Sequence, residues 1–263
     1  MVKIRRVGDD VVAVTRISVI VPAHNEERWL PSCLASIAHA RSVATRQSGA
    51  GHATAPVEVE VIVVANRCTD RTADLARAAG AVVVEDEHRT IAAVRNAGAA
   101  AATGDILVTI DADSRMDERA LVTVAAHLAL GDVVGGCARV EPERHSLGID
   151  VTYALLHVAE RMSGLGGGMY WCWASDFHAI GGFNEHQVMG EDLDFARRLR
   201  EHGRASGRRF RRLPVTVTTS CRKFDQFGDW HTFGLVRQAR DVRASLQGSD
   251  RAFADRYFYD IRS

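Results

Sequence analysis

An alternation constrains this chain more than any other feature. Between residues 17 and 130, short β-branched runs take turns with segments whose apolar residues recur every three or four positions. Ile17-Ser-Val-Ile-Val21 is the first run, and Pro22 closes it as buried strands are closed. Residues 57–65, 81–85 and 105–110 are the next three strands. A helix with Leu30, Leu34 and Ile37 on one face follows the first, with Asn25 as its cap and Glu26 and Glu27 at its positive end. Residues 41–56, with Gly49, Gly51 and Pro56, lose that period and read as a loop. Thr69 opens a helix that carries Leu75 and stops at Gly80, and Thr90 opens another to about residue 102. Asp117 opens a fourth, with Leu121, Val124, Ala125 and Leu128 inward. Strands that alternate with helices through short turns build a parallel sheet with right-handed crossovers, and such sheets bind ligands at their carboxyl ends. Chemistry is therefore expected at residues 22–26, 66–70, 86–95 and 111–113.

The second half is less regular. It predicts a strand at 133–140, a helix at 147–162, a Gly164-Leu-Gly-Gly-Gly168 loop and the aromatic run Tyr170-Trp-Cys-Trp173. A helix should start at Glu191 with Leu193, Ala196 and Leu199 inward and Gly203 past its end. Leu235, Val236, Ala239 and Val242 place a last helix after Trp230. The expected organisation is one domain over 1–263, in three parts: 17–115, 116–223 and a C-terminal helical segment (224–263).

Composition removes several classes. The 33 basic residues balance 33 acidic ones, so a general nucleic-acid binder is not expected. No apolar run approaches the ~20 residues of a membrane-spanning helix. The first ten residues lack the apolar stretch of a signal peptide, which points to the cytoplasm. Five scattered cysteines form no C-x-x-C pair and read as buried thiols. Arg204, Arg208, Arg209, Arg211 and Arg212 form the one basic cluster. It is a candidate contact for an anionic acceptor or a peripheral membrane surface, with a solvated strand edge as the plain alternative.

Asp111-Ala112-Asp113 leaves a buried strand with two carboxylates in a small volume. Such a pair suits Mg²⁺ or Mn²⁺, completed by substrate phosphates and water, although Asp-x-Asp is also a common exposed turn. A second acidic pair, Glu191-Asp192, stands at a helix start. There a carboxylate is either a general base, with its pKa lowered by the helix dipole, or an ordinary cap. Trp171 and Trp173 offer rings that stack on an acceptor sugar, unless the strand buries them.

The ordered set Val-Ile-Val-Pro-Ala-His-Asn-Glu-Glu (19–27), Cys-Thr-Asp-Arg-Thr (68–72), Arg95-Asn96 with Gly98, Thr-Gly-Asp-Ile (103–106), Asp-Ala-Asp (111–113), Gly-Gly-Phe-Asn-Glu (181–185) and Glu191-Asp192 resembles the inverting family 2 glycosyltransferases. Those enzymes have the GT-A fold, a Rossmann-like, mostly parallel α/β sheet flanked by helices, with an irregular acceptor-binding second half. The resemblance implies transfer of a sugar from a nucleotide diphosphate sugar, usually a UDP-sugar, with Mg²⁺ or Mn²⁺ on the diphosphate. It implies donor contacts from Pro22, Ala23, Glu26, Asn66, Arg95, Asp111, Ala112 and Arg222, with Asn66 at the base. It also implies Asp113 as metal ligand, His231 as a further one, Asp192 as base, and Glu191 beside the acceptor. Two departures stand out. Ala65-Asn66 replaces the two acids relatives often carry, which leaves the nucleobase open. Leu193-Asp194-Phe195 replaces the processive synthase pattern, so one sugar per encounter is expected. Pro22-Ala-His-Asn, without a glycine-rich turn, speaks against a dehydrogenase or a nucleotidyltransferase. The alternatives are a catalytically silent nucleotide-sugar-binding or scaffold protein, from another class, and a nucleotidyltransferase.

Overall fold

Continuous apolar runs are the mark of strands buried on both faces, and here they pair into one mixed sheet. The computed structural model describes residues 4–7, 10–13, 15–48, 57–187 and 189–235. A hairpin that the sequence reading did not foresee, β1 (Ile4–Val7) with β2 (Asp10–Ala13), precedes the main sheet. Then β3 (Thr15–Ala23), α1 (Leu30–Ser48), β4 (Val57–Asn66), α2 (Thr72–Ala78), β5 (Val82–Asp86), α3 (Ile91–Ala101) and β6 (Ile106–Ile110) follow the predicted alternation. The order β5-β4-β3-β6 is parallel throughout.

Beyond β6 the chain adds β7 (Ser114–Met116), α4 (Ala120–Ala129), β8 (Val133–Pro142), α5 (Leu147–Ser163), β9 (Met169–Trp173), α6 (Ala174–Ala179), α7 (Glu191–Ala205) and β10 (Arg209–Thr219). β9 runs antiparallel between β6 and β8, β10 lies parallel to β8, and β7 closes that side antiparallel to β10. Two short helices, α8 (Arg222–Phe227) and α9 (His231–Leu235), end the described chain. This is the expected α/β architecture, with a mostly parallel sheet flanked by helices.

Strand alternation splits the core in two. Ile17, Val19 and Val21 face one apolar layer with Leu30 and Ile37 of α1 and Leu121, Val124 and Leu128 of α4. Ile20 faces the other, with Ala92 and Val94 of α3 and Phe195, Ala196 and Leu199 of α7. Gly98 shows how tightly α3 sits on the sheet, since a Cβ there would lie 2.4 Å from Ile20 Cγ2.

Several boundaries differ from expectation. α1 runs to Ser48 because Ala40, Val43 and Ala44 continue its buried face, while the Ser42 and Thr45 hydroxyls donate back to the His39 and Arg41 carbonyls. Neither Asn25 nor Thr69 caps a helix; they bond each other across two loops. Leu193 is exposed, Phe195 taking the inward place, and Gly203 lies inside α7 against Val134. Positions 49–56, and Val236, Ala239 and Val242, lie outside the described residues.

Candidate active site

The parallel strands deliver their carboxyl ends to one edge. Pro22 and Ala23 close β3 in register with Val64 and Ala65 of β4. The turn after them is braced by the 68–72 motif. Asn25, in left-handed backbone (φ 51°), accepts from the Thr69 N–H at 2.8 Å. Asp70 accepts from the Glu27 and Thr72 N–H groups at 3.0 and 2.9 Å, and the Glu26 N–H donates to Thr72 Oγ1 at 2.7 Å. The motif is therefore scaffolding that holds Glu26 in place. Glu26 is 1% exposed, and its carboxylate accepts from Arg222 Nη1 at 2.8 and 3.0 Å.

Arg222 stands at the start of α8 and reaches across to the turn between β6 and β7. Its Nη2 lies 2.9 Å from Asp113 Oδ2, which also accepts from Ser220 Oγ at 2.9 Å. The guanidinium of Arg222, 196 residues from Glu26, thus joins the acid of the first motif to the second acid of Asp111-Ala112-Asp113. Ala112 is buried beneath the turn. Asp111 Oδ1 accepts from Arg95 Nη2 at 2.9 Å, and Arg95 Nη1 donates to Glu191 Oε1 at 2.7 Å. Arg95 and Glu191 are each 8% exposed.

Asp192 follows at the N-terminus of α7, where its Oδ1 accepts the Leu193 N–H at 2.8 Å. Burial raises the pKa of Asp192 and of Glu191, and it outweighs the opposing charge of Arg95. The expected lowering by the helix end is therefore overturned, because desolvation of the charged form is the larger effect. A raised carboxyl suits a base that must accept a proton near neutrality.

Asn66 ends β4, and its amide is already committed. Nδ2 donates to Asp86 Oδ1 at 2.6 Å and to the His88 carbonyl at 2.8 Å. Asp86 and His88 lie in the 86–95 stretch marked from sequence, but neither had been given a role. The signal was an acid at the end of a strand, and only the β4–β5 register sets Asp86 against Asn66. Hydrogen bonding to Asp86 raises the His88 pKa, which places a titrating imidazole on this edge.

The acceptor expectations need correction. Trp171 is fully buried in mid-sheet opposite Val108, with the His127 ring edge-on at 6.1 Å, so it stacks on no acceptor. Trp173 pairs with Ile106 at the amino end of β6, away from the site, and packs on the same apolar layer. Glu191 turns inward to Arg95 instead of outward to an acceptor. The Gly164–Gly168 loop is filled: a Cβ on Gly167 (φ +108°) would lie 2.3 Å from the Ala138 carbonyl oxygen. Nor do the arginines of residues 204–212 act as one patch. Arg208 grips the buried Asp176 at 2.7 and 2.8 Å, Arg209 pairs with Asp132, and Arg212 with Glu160.

His231 starts α9, with Nδ1 2.9 Å from the Gly228 carbonyl and its ring edge-on to Phe224 at 4.7 Å. Among the described residues, no three His, Cys, Asp or Glu side chains converge for a metal. The donors around Asp113 are nonetheless hard oxygens, a carboxylate beside the Ser220 hydroxyl. That set fits Mg²⁺ or Mn²⁺ held by one protein carboxylate and completed by phosphate and water.

The sequence model of glycosyl transferase family 2 matches residues 18–163, more than half of the chain. This chain belongs to that family. It is 28% identical to the validoxylamine A glucosyltransferase of Streptomyces hygroscopicus subsp. limoneus, over 78% of this chain and 50% of that one. It spans about half the length of the curated relatives it matches. Among solved structures it resembles a mannosyltransferase from Pyrobaculum calidifontis in complex with GDP-Man and Mn²⁺ (TM-score 0.58, 20% identity, 94% of this chain and 73% of that one). It also resembles glucosyl-3-phosphoglycerate synthase from Mycobacterium tuberculosis in complex with Mn²⁺, UDP and phosphoglyceric acid (TM-score 0.56, 19% identity, 89% and 78%). At these identities the structural likeness shows the shared GT-A fold. No helix among the described residues is long and apolar enough to cross a membrane.

Proposed function

We propose that this glycosyltransferase is inverting and non-processive, and moves one sugar from a nucleoside diphosphate sugar, UDP-sugars first, to an acceptor hydroxyl. One observation carries the reading: the acids assigned to donor and base lie in two arginine-linked sets that meet in the Asp111–Asp113 turn. The first runs from Glu26 through Arg222 to Asp113, the second from Asp111 through Arg95 to Glu191, with Asp192 beside it.

In this reading Pro22, Ala23, Glu26 and Asn66 shape the nucleoside pocket, and Asp111 and Ala112 face the ribose and sugar. Arg222, held between Glu26 and Asp113, sets a guanidinium beside the departing diphosphate. Asp192 takes the proton from the acceptor hydroxyl while that oxygen forms its bond to the anomeric carbon. The bond from that carbon to the diphosphate oxygen breaks, and the electron pair leaves with the diphosphate. A single displacement from the opposite face inverts the anomeric centre. Mg²⁺ or Mn²⁺ on Asp113 would add Lewis-acid stabilisation of the leaving charge. Fixed charges aimed at the departing diphosphate act more strongly on the transition state than on the bound donor.

The test is release of nucleoside diphosphate from UDP-glucose, UDP-galactose and GDP-mannose, with Mn²⁺ and an acceptor panel, followed by NMR of the product's anomeric proton. An inverted product, and its loss in Asp192→Asn, is the expected result. A retained configuration, or full turnover by Asp192→Asn, would overturn the proposal.

A further inference from the structure

Arg95 and Asn96 are neighbours on α3, and both reach the same distant stretch of chain. Asn96 grips the 181–185 turn: its Nδ2 donates to the Phe183 carbonyl at 2.9 Å and to Glu185 Oε1 at 2.8 Å, and its Oδ1 accepts the Phe183 N–H at 2.9 Å. Gly182 makes room for this. Its backbone is left-handed (φ +66°), and a Cβ there would stand 2.7 Å from Asn96 Oδ1. Arg95 lies 5.3 Å over the Phe183 ring and divides its fork between Glu191 at 2.7 Å and Asp111 at 2.9 Å. Four of the sequence motifs, at 95–96, 111, 181–185 and 191, are therefore one mechanical unit.

We infer that Arg95 is a positioning residue that fastens the N-terminus of α7 to the donor-side acid Asp111 and so fixes where Asp192 stands relative to the donor. This rests on the site reading above and corrects the sequence expectation that Arg95 meets the nucleotide. Both Nη groups already carry carboxylates, and the side chain is buried. A guanidinium holds two carboxylates at once because its donors form a rigid planar fork, which a lysine ammonium cannot reproduce. The base sits one residue from Glu191, so a shift of α7's end moves the proton acceptor directly.

The experiment compares Arg95→Lys, Arg95→Met and Asn96→Ala with the parent protein. Each is measured for kcat, donor KM, nucleoside diphosphate Kd by calorimetry, and urea midpoint. Arg95→Met should lower kcat about 10²-fold, as small misplacements of reacting groups do. Donor KM and the Kd should stay within about threefold, since only interactions shared by ground and transition states set them. Arg95→Lys, which retains charge but loses the fork, should fall short of full rescue, and Asn96→Ala should lower kcat in the same direction. Arg95→Lys and Asn96→Ala keep the test open if the methionine variant does not fold. A Kd that weakens in proportion to kcat would make Arg95 a donor contact and overturn the inference. So would full activity in Arg95→Met. Undiminished turnover by Asp192→Asn is a different failure: it would remove the base assignment whatever Arg95 does.

Discussion

Replacing Asp192 by asparagine should separate chemistry from folding. The amide keeps the size of the side chain and the oxygen that accepts the Leu193 N–H at 2.8 Å, so α7 can begin where it does now. The lost function is proton acceptance. Positioned bases contribute about 10²- to 10⁴-fold, and at ~1.36 kcal/mol per decade the barrier should rise by about 2.7–5.5 kcal/mol. Stability should move the other way. Burial raises the Asp192 pKa above its unfolded value, so the folded protein binds that proton more tightly than the unfolded chain. The ionised group therefore costs stability above its folded pKa and costs nothing below its unfolded pKa of about 3.9. Asp192→Asn should melt higher than the parent at pH 7.5, and the difference should shrink to zero as the pH falls toward about 4. Steady-state kinetics and calorimetric melts at four pH values read both effects. Loss of stability at pH 7.5, or a kcat within about tenfold of the parent, would refute the reasoning.

Trp171→Phe should cost about 1 kcal/mol or slightly more, because lost apolar contact is offset by removal of an indole N–H that is buried without a partner. Its specific activity well below the melting midpoint should be unchanged, and a rise in acceptor KM would return Trp171 to the acceptor site. Arg208→Met removes a bidentate partner from Asp176, which is 5% exposed and is left with His202 at 2.9 Å. Breaking such a pair costs about 3–5 kcal/mol, and the midpoint should fall by roughly 10 °C, with part of the loss recovered in Asp176→Asn/Arg208→Met. A fall under about 2 °C would show that the pair is solvent-screened.

The parallel half was legible because its signals are local. β-branched runs, Thr90 as a cap and Gly80 after a helix each carry their meaning within a few residues. The other half was harder because β9 inserts antiparallel between β6 and β8, two strands from earlier in the chain, which no local pattern encodes. Trp171 shows the consequence: its type suggested stacking, and only the β6–β9 register reveals a core position. The motif residues themselves were found, but their partners were not. Arg222 lies 196 residues from Glu26 and Arg95 lies 96 from Glu191, so both struts had to be read from contacts. Asn66 is the subtler case. Its departure from the family pattern was visible, whereas the Asp86 carboxylate brought beside it by β5 was not.

The central claim is that the carboxyl edge of this sheet binds a nucleoside diphosphate with a divalent cation on Asp113. Titration calorimetry of UDP and GDP, with and without Mn²⁺, into the parent protein and Asp113→Asn tests it most directly. The account predicts that one of the two nucleotides binds, that Mn²⁺ tightens its binding at least tenfold, about 1.4 kcal/mol, and that Asp113→Asn abolishes the tightening. No binding by either nucleotide, or a Mn²⁺ effect that survives in Asp113→Asn, would contradict it.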